Sequence, residues 1–143
     1  MTSKIAATIV ALVTSVLPST TTYVAPPAPP AVVYYQPSPQ QITFTEALAY
    51  CESRGIETAL NPADSNNLPS RGKWQFQDST FRAYSVRYGV LKPEDIDTTE
   101  KLLKAMYNAE IQQKIVYEML NDTKINWRRE FPLCVKQLGN PPK

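Results

Sequence analysis

The stretch 43-TFTEALAYCESRG-55 predicts a helix with a marked beginning and end. Thr43 and Glu46 have the spacing of a capping box, in which each side chain bonds the backbone N–H of the other residue. The apolar residues recur with the period of one helix face: Phe44, Ala47, Leu48 and Cys51. Gly55 follows the last of them and is well placed to end the helix. We therefore expect this helix to bury one face in a core.

Glu52 stands beside Cys51 in the predicted last turn, at the edge of the apolar face. A carboxylate there meets the negative end of the helix dipole and backbone carbonyls without partners. Both effects disfavour the ionised form, as does partial burial, so the side chain is expected to keep its proton. A retained proton is what a general acid needs. The alternative interpretation is an ordinary surface charge.

The composition excludes several classes of function. The chain has 143 residues, 43% of them hydrophobic and 20% charged, which indicates one globular domain. A net charge of +2 is too small to make nucleic acid the main partner. The absence of histidine rules out Ser-His-Asp triads, Cys-His pairs and HExxH zinc sites. Catalysis would have to use carboxylates, lysine, tyrosine or backbone groups, and we expect no metal and no organic cofactor.

Residues 1–24 have the features of a signal peptide. Lys4 is the one charge before the apolar run IAATIVALVTSVL, which is too short for a membrane span and suits the apolar region of a signal. An uncleaved N-terminal anchor or a short buried helix is the alternative. Export would also place the two cysteines where disulfides persist.

Residues 25–41, APPAPPAVVYYQPSPQQ, are rich in proline and carry no charge. This composition favours an extended polyproline II linker that packs on nothing. A ligand for a proline-binding partner is the alternative. We expect neither this segment nor the residues before it to be needed for the chemistry of the domain.

Residues 42–143 contain every acidic residue and every basic residue except Lys4, and they form the predicted domain. A second helix is expected from Asp78 or Ser79 to Gly89. The third and longest should begin at a cap formed by Asp97 and Glu100 and continue to Leu120, with a broad apolar face. The polar loop before the second helix has room for one small hairpin, and a short segment closes the chain. The fold class is therefore mainly α, a compact helical domain with a small hairpin or loop lobe.

The segment 72-GKWQFQDST-80 alternates aromatic and amide side chains. Trp74 and Phe76 would offer apolar surface to the faces of sugar rings, and Gln75 and Gln77 would offer amides to hydroxyl or acetamido groups. The alternative is a half-buried strand whose amides lie in water.

The order of four motifs resembles the muralytic domain of resuscitation-promoting factors and the wider lysozyme-like lytic transglycosylases. The motifs are ALAYCESRG, GKWQFQDSTF, AEIQQKIVYEML and WRREFPLC, and the resemblance covers nearly all of residues 43–139. The positions that match the family pattern are Cys51, Glu52, Ser53, Gly55, Gln75, Phe76, Ser79, Thr80, Gln112, Gln113, Pro132 and Cys134. The chain departs from the pattern at Lys73, where the family has glycine, and in the longer loop before it.

This resemblance implies an α+β lysozyme-like fold, a Cys51–Cys134 disulfide and Glu52 as the catalytic acid. It also implies that Trp74, Gln75 and Thr80 hold a sugar of the substrate. That substrate would be the glycan strand of peptidoglycan, cut at the β-1,4 bond between N-acetylmuramic acid and N-acetylglucosamine.

A glycosidase ordinarily uses two carboxylates, but none of the candidates for a second has a spacing that recommends it: Glu57, Asp64 and Asp78. The family suggests a single acid instead, in either a lytic transglycosylase or a lysozyme. The expected protein is a secreted or cell-wall-associated monomer with no membrane contact beyond an N-terminal anchor. The alternative function is a peptidoglycan-binding or virion-associated structural module that keeps the fold without the activity.

Overall fold

The computed structural model describes Ala25, residues 27–28 and residues 30–143. The chain divides into two units, Met1–Ala31 and Val32–Lys143, and every helix and strand described lies in the second. The predicted signal peptide lies outside the described residues. Within the part of the chain that is described, no helix combines the length and the apolar character needed to cross a membrane.

The unit Val32–Lys143 is mainly helical. Its helices are α1 (Pro39–Ser53), α2 (Asp78–Arg87), α3 (Thr99–Met106), α4 (Ala109–Asn121), α5 (Trp127–Glu130) and α6 (Pro132–Leu138), with a 3₁₀ turn at Pro93–Asp95. The only sheet among the described residues has three short antiparallel strands: β1 (Leu60–Asn61), β2 (Ser70–Arg71) and β3 (Phe76–Gln77). Their order in the sheet is β1-β2-β3. The prediction of a mainly α domain with a small hairpin lobe is confirmed, although the lobe has two hairpins and not one.

Helix α1 begins earlier than its sequence pattern suggested. The Ser38 Oγ accepts a hydrogen bond from the Gln41 backbone N–H at 3.3 Å, and the Gln41 Oε1 accepts one from the Ser38 N–H at 2.9 Å. The prediction of a capping box at Thr43 and Glu46 is wrong, because both residues lie inside the helix. A serine cap followed by Pro39 at the first helical position is a strong start signal.

Part of the predicted linker belongs to the compact unit, which begins at Val32 and not at residue 42. The Tyr35 backbone N–H donates to the Glu118 carboxylate on α4 at 2.6 Å, and the Tyr35 hydroxyl donates to Gln41 at 2.8 Å. A tyrosine brings apolar area and a hydrogen-bonding group that the neighbouring prolines lack. The segment just before α1 therefore packs against the domain.

The predicted third helix is two helices, so that prediction is wrong in its length. The Asn108 Oδ1 accepts hydrogen bonds from the backbone N–H groups of Glu110 and Ile111, which starts α4 with only two residues between it and α3. An asparagine inside a helical pattern offers the backbone a competing partner. The cap of α3 is Thr98 and not the predicted Asp97.

The core of the unit receives side chains from the helices and from the sheet lobe. Its largest fully buried apolar residues are Leu48, Trp74, Phe81, Ile96, Met106, Ile115, Val116, Met119 and Val135. Helix α2 has nearly the predicted bounds, and its Phe81 packs edge-on against Phe76 of β3. The lobe is thereby fixed to the helical body, next to the end of α1.

Candidate functional site

A cleft of about 440 Å³ lies between the end of α1, the sheet lobe and the C-terminal helices. Its walls carry three carboxylates, one guanidinium and several amide and hydroxyl groups over an aromatic surface. The lining residues are Glu52, Asp64, Ser65, Asn66, Gln75, Phe76, Gln77, Thr80, Arg129, Glu130, Phe131, Pro132 and Leu133. Pockets of this size bind small organic ligands or sugar units.

Glu52 lies in the last turn of α1, as its sequence position predicted, and its half-buried side chain lines the cleft. Burial raises the pKa of its carboxyl to about 7, and the charge on Asp64 adds to that rise. An ordinary glutamate is ionised at neutral pH, whereas Glu52 keeps its proton in a large share of molecules there. This group can therefore donate a proton to a bound ligand.

The predicted disulfide between Cys51 of α1 and Cys134 of α6 is present. Cys51 directly precedes Glu52, and Cys134 directly follows Leu133, which lines the other side of the same cleft. One covalent bond thus holds both the acid and the apolar wall that α6 contributes. The bond limits how far these two walls can move apart.

Two of the three predicted sugar-binding residues, Gln75 and Thr80, line the cleft. The Gln75 amide holds its own loop, because its Nε2 donates to the Gly72 carbonyl at 2.8 Å and its Oε1 accepts from the Ser70 hydroxyl at 3.0 Å. Its backbone has φ 51°, in the left-handed region that non-glycine residues seldom adopt. Thr80 lies half-buried in the first turn of α2.

Trp74 is not a sugar-binding residue, so this prediction is wrong. Its side chain is 1% exposed and lies in the core, where its indole N–H donates to the Thr45 carbonyl at 3.1 Å. Trp74 lies in the turn before β3 and is buried like Phe76, whereas Gln75 and Gln77 between and after them are half-buried. The aromatic residues that do line the cleft are Phe76 and Phe131.

Two side chains outside the cleft fix the turn that carries Gln75. The fully buried Gln112 accepts a hydrogen bond from the Trp74 N–H at 2.9 Å and donates to the Arg71 carbonyl at 3.1 Å. Ser53, which follows Glu52 in α1, donates to the Lys73 carbonyl at 2.7 Å. The hydrogen bond from Ser53 therefore connects the helix end that carries Glu52 to the turn that carries Gln75. The sequence motif contained Gln112 without indicating this role.

Of the other polar groups in the cleft, Gln77 was expected to offer its amide to a sugar, whereas Asn66, Arg129 and Glu130 were not predicted. Asn66 and Gln77 exchange two side-chain hydrogen bonds, at 2.8 and 3.0 Å. Arg129 pairs with the adjacent Glu130 at 2.7 Å. These residues come from β3, from the loop between β1 and β2 and from α5, and they meet only in the folded chain.

The three carboxylates considered as partners of Glu52 have different positions. Asp64 lines the cleft with Glu52. Asp78 lies outside it and pairs with Arg71, and Glu57 is exposed on the loop after α1. The longer loop that departs from the family pattern is the one that brings Asp64 to the cleft, and this departure was the available signal.

Among the described residues, no group of three or more His, Cys, Asp or Glu side chains could hold a metal ion. The cleft offers acid–base groups and hydrogen-bonding groups. Comparisons of the chain with protein-family models, curated proteins and solved structures found no match.

Proposed function

We propose that the protein is a peptidoglycan-cleaving glycosidase with a lysozyme-like fold. It would act on the β-1,4 bond between N-acetylmuramic acid and N-acetylglucosamine. The observation that carries this proposal is Glu52, a carboxyl with a pKa of about 7 on the wall of a cleft of sugar size. The order of the four sequence motifs supports the choice of peptidoglycan among glycans.

Cleavage begins with a proton transfer. Glu52 donates its proton to the glycosidic oxygen, so the departing sugar leaves as a neutral alcohol. A general acid works best when its pKa lies near the working pH, and burial moves Glu52 into that range. The neighbouring 2-acetamido group or another oxygen of the substrate can stabilise the positive charge on the sugar.

The other groups of the cleft suit an amino sugar. Phe76 and Phe131 are buried and form the apolar base of the cleft, and the exposed Leu133 offers apolar surface to the face of a sugar ring at the rim. Thr80 and the Asn66 amide offer hydrogen bonds to hydroxyl and acetamido groups. This combination of apolar area with a few polar groups is typical of small-molecule and sugar sites.

The proposed setting is outside the cytosol. A disulfide persists in oxidising compartments, and peptidoglycan lies there as well. The proposed protein is a monomer that acts on glycan strands in the cell wall, without nucleic acid, metal or organic cofactor.

The experiment is digestion of purified, dye-labelled cell wall by the wild-type protein and by Glu52→Gln. Glutamine keeps the size of the side chain but has no proton to donate, so release should fall by a factor of about 100 or more. Glu57→Gln is the matched control, because Glu57 is exposed and lies outside the cleft. It should keep the wild-type rate.

Two results would contradict the proposal. One is a Glu52→Gln variant that digests wall at the wild-type rate. The other is a wild-type protein that binds wall but releases nothing, which would favour the non-catalytic binding module. The thermal midpoint of each variant shows whether a loss of activity is a loss of folding.

A further inference from the structure

We propose that Asp64 is the catalytic base of this cleft and that it activates a water molecule. The protein would then be a hydrolase that leaves a hydrated reducing end, and not a transglycosylase that leaves a 1,6-anhydro sugar. This inference rests on the proposed function and adds the identity of the second reactant and the residue that activates it.

Elimination among the acidic residues points to Asp64. Only three carboxylates line the cleft among the described residues: Glu52, Asp64 and Glu130. The charge on Glu130 is compensated by Arg129 at 2.7 Å. No lysine or arginine within residues 30–143 forms an ion pair with Asp64. Asp64 therefore brings to the cleft a negative charge that is not already paired.

The Asp64 side chain is also held in place. Its Oδ1 accepts a hydrogen bond from the Ser65 backbone N–H at 2.6 Å. Its backbone closes the surrounding loop, since its N–H donates to Leu68 at 3.0 Å and its carbonyl accepts from Asn67 at 2.7 Å. A base works well when it is positioned before the substrate arrives. One carboxylate oxygen is fixed by the loop, and the other is left to accept a proton.

Glu52 and Asp64 can take different roles, although they line the same cleft. Glu52 is the one whose pKa is raised, mainly by burial and further by the charge on Asp64. One protonated and one charged carboxyl beside the same bond is the arrangement of acid and base in glycosidases that use a water. The charge on Asp64 acts on Glu52 because both side chains line the same cleft.

The reaction then balances without another reactant. The Glu52 proton moves to the glycosidic oxygen, and the bond from that oxygen to the anomeric carbon breaks, with its electron pair leaving on the oxygen. The water oxygen forms a bond to the anomeric carbon, and the water proton passes to Asp64. Asp64 releases this proton to solvent and Glu52 takes one up, which restores the starting state.

The first experiment is mass spectrometry of the fragments that the wild-type protein releases from purified wall. Hydrated reducing ends are expected. Anhydro fragments, which are lighter by one water, would overturn the role of Asp64 while leaving the proposed function intact. Absence of any release would instead count against the proposed function itself, so the two failures are distinguishable.

The second experiment compares Asp64→Asn and Asp64→Ala with Glu57→Gln as control. Asp64→Asn should release fragments about 100-fold more slowly at an unchanged thermal midpoint. Sodium azide needs no base, so it should restore bond cleavage by Asp64→Ala and give a glycosyl azide. Wild-type rates in Asp64→Asn, or no response of a folded Asp64→Ala to azide, would overturn the proposal.

A pH profile tests the electrostatic effect of Asp64 on Glu52, whereas the azide rescue tests the role of Asp64 as base. The charged groups that share the cleft with Glu52 are Asp64, Arg129 and Glu130, and the last two form an ion pair. Removing the Asp64 charge should move the upper limb of the activity profile to lower pH, because the pKa of Glu52 falls. An upper limb that stays in place in Asp64→Asn would contradict this coupling.

Discussion

The two ends of helix α1 are held in different ways. Hydrogen bonds hold the first end, mainly between Ser38 and Gln41, with no cleft residue nearby in the chain. The last end carries Glu52 and has a disulfide through Cys51 and a hydrogen bond from Ser53 to the sheet lobe. A cap is sufficient to begin a helix, whereas the acid that we propose for catalysis must also be held at a fixed distance from other elements. The stronger attachments occur at the end that carries the acid.

The largest effect on stability should follow from loss of the disulfide. Cys51 and Cys134 are separated by 83 residues in the sequence. A cross-link over a loop of this length lowers the entropy of the unfolded chain, so Cys51→Ala/Cys134→Ala should lose about 4 to 5 kcal/mol of unfolding free energy. Denaturant unfolding measures the loss.

The same double variant also tests the link between attachment and function. Wall digestion should fall by more than the loss of folded protein explains, because the acid and the α6 wall are no longer joined. A folded double variant that digests wall at the wild-type rate would show that packing alone positions Glu52.

The next largest loss of stability should follow from replacing a glycine whose backbone is left-handed, and two such glycines can be compared. Gly72 has φ 81°, and a Cβ there would clash with the Gln112 amide and lie 2.7 Å from the Met106 carbonyl oxygen. Gly72→Ala should cost about 3 kcal/mol, the sum of backbone strain and overpacking. Gly55, with φ 76° and open space around its Cβ position, is the matched control.

Gly55→Ala should cost about 1 kcal/mol, the strain of the left-handed backbone alone. Thermal or denaturant unfolding of both variants separates the strain from the clash. Equal losses would mean that Gln112 moves aside freely and does not fix the turn next to the acid.

The third prediction concerns the pH dependence of stability that Glu52, in the last turn of α1, should cause. Because the pKa of Glu52 is raised to about 7 in the folded protein, folding favours the protonated form. The native state binds the extra proton, so the free energy of unfolding falls as pH rises from about 4.5 to about 7. Glu52→Gln removes this titration and should be about 2 kcal/mol more stable than wild type at pH about 8, with little difference at pH about 4.

Glu46 provides the comparison within the same helix. Its exposed carboxylate pairs with Lys73 at 3.0 Å. Glu46→Gln should lose a few tenths of a kcal/mol, as exposed ion pairs contribute little. Urea unfolding of both variants at several pH values is the measurement. A Glu52→Gln variant whose stability parallels wild type throughout would contradict the raised pKa.

Sequence patterns predicted the features that depend on short stretches. The end of α1, the position of Glu52 and the extent of α2 follow from periodicity and from residues at helix ends. The pairing of Cys51 with Cys134 came from family resemblance. It required a partner far along the chain, which local patterns cannot identify.

The errors arose where tertiary contacts or competing caps decide the result. Trp74 lies in the core because its indole and backbone N–H groups find partners on α1 and α4, which no local pattern shows. Tyr35 packs beside α4 although it follows a run of prolines. Asn108 splits a long apolar pattern, and this local signal was available but weaker than the periodicity around it. Asp64 reached the cleft through a loop whose path depends on the sheet.

The smallest predicted effect tests the first end of α1, where two residues compete as the helix cap. The Ser38 hydroxyl accepts the Gln41 N–H, so Ser38→Ala should lose about 1 kcal/mol of stability. Thr43 lies in the helix with its hydroxyl donating to the Pro39 carbonyl, so Thr43→Ala should change stability by less than about 0.5 kcal/mol. Thermal unfolding of the two variants decides between the caps. Both should digest wall at the wild-type rate well below their midpoints, since neither residue lines the cleft. A larger loss in Thr43→Ala would place the start of the helix at the later position, and reduced digestion by a folded Ser38→Ala would show that this end also positions Glu52.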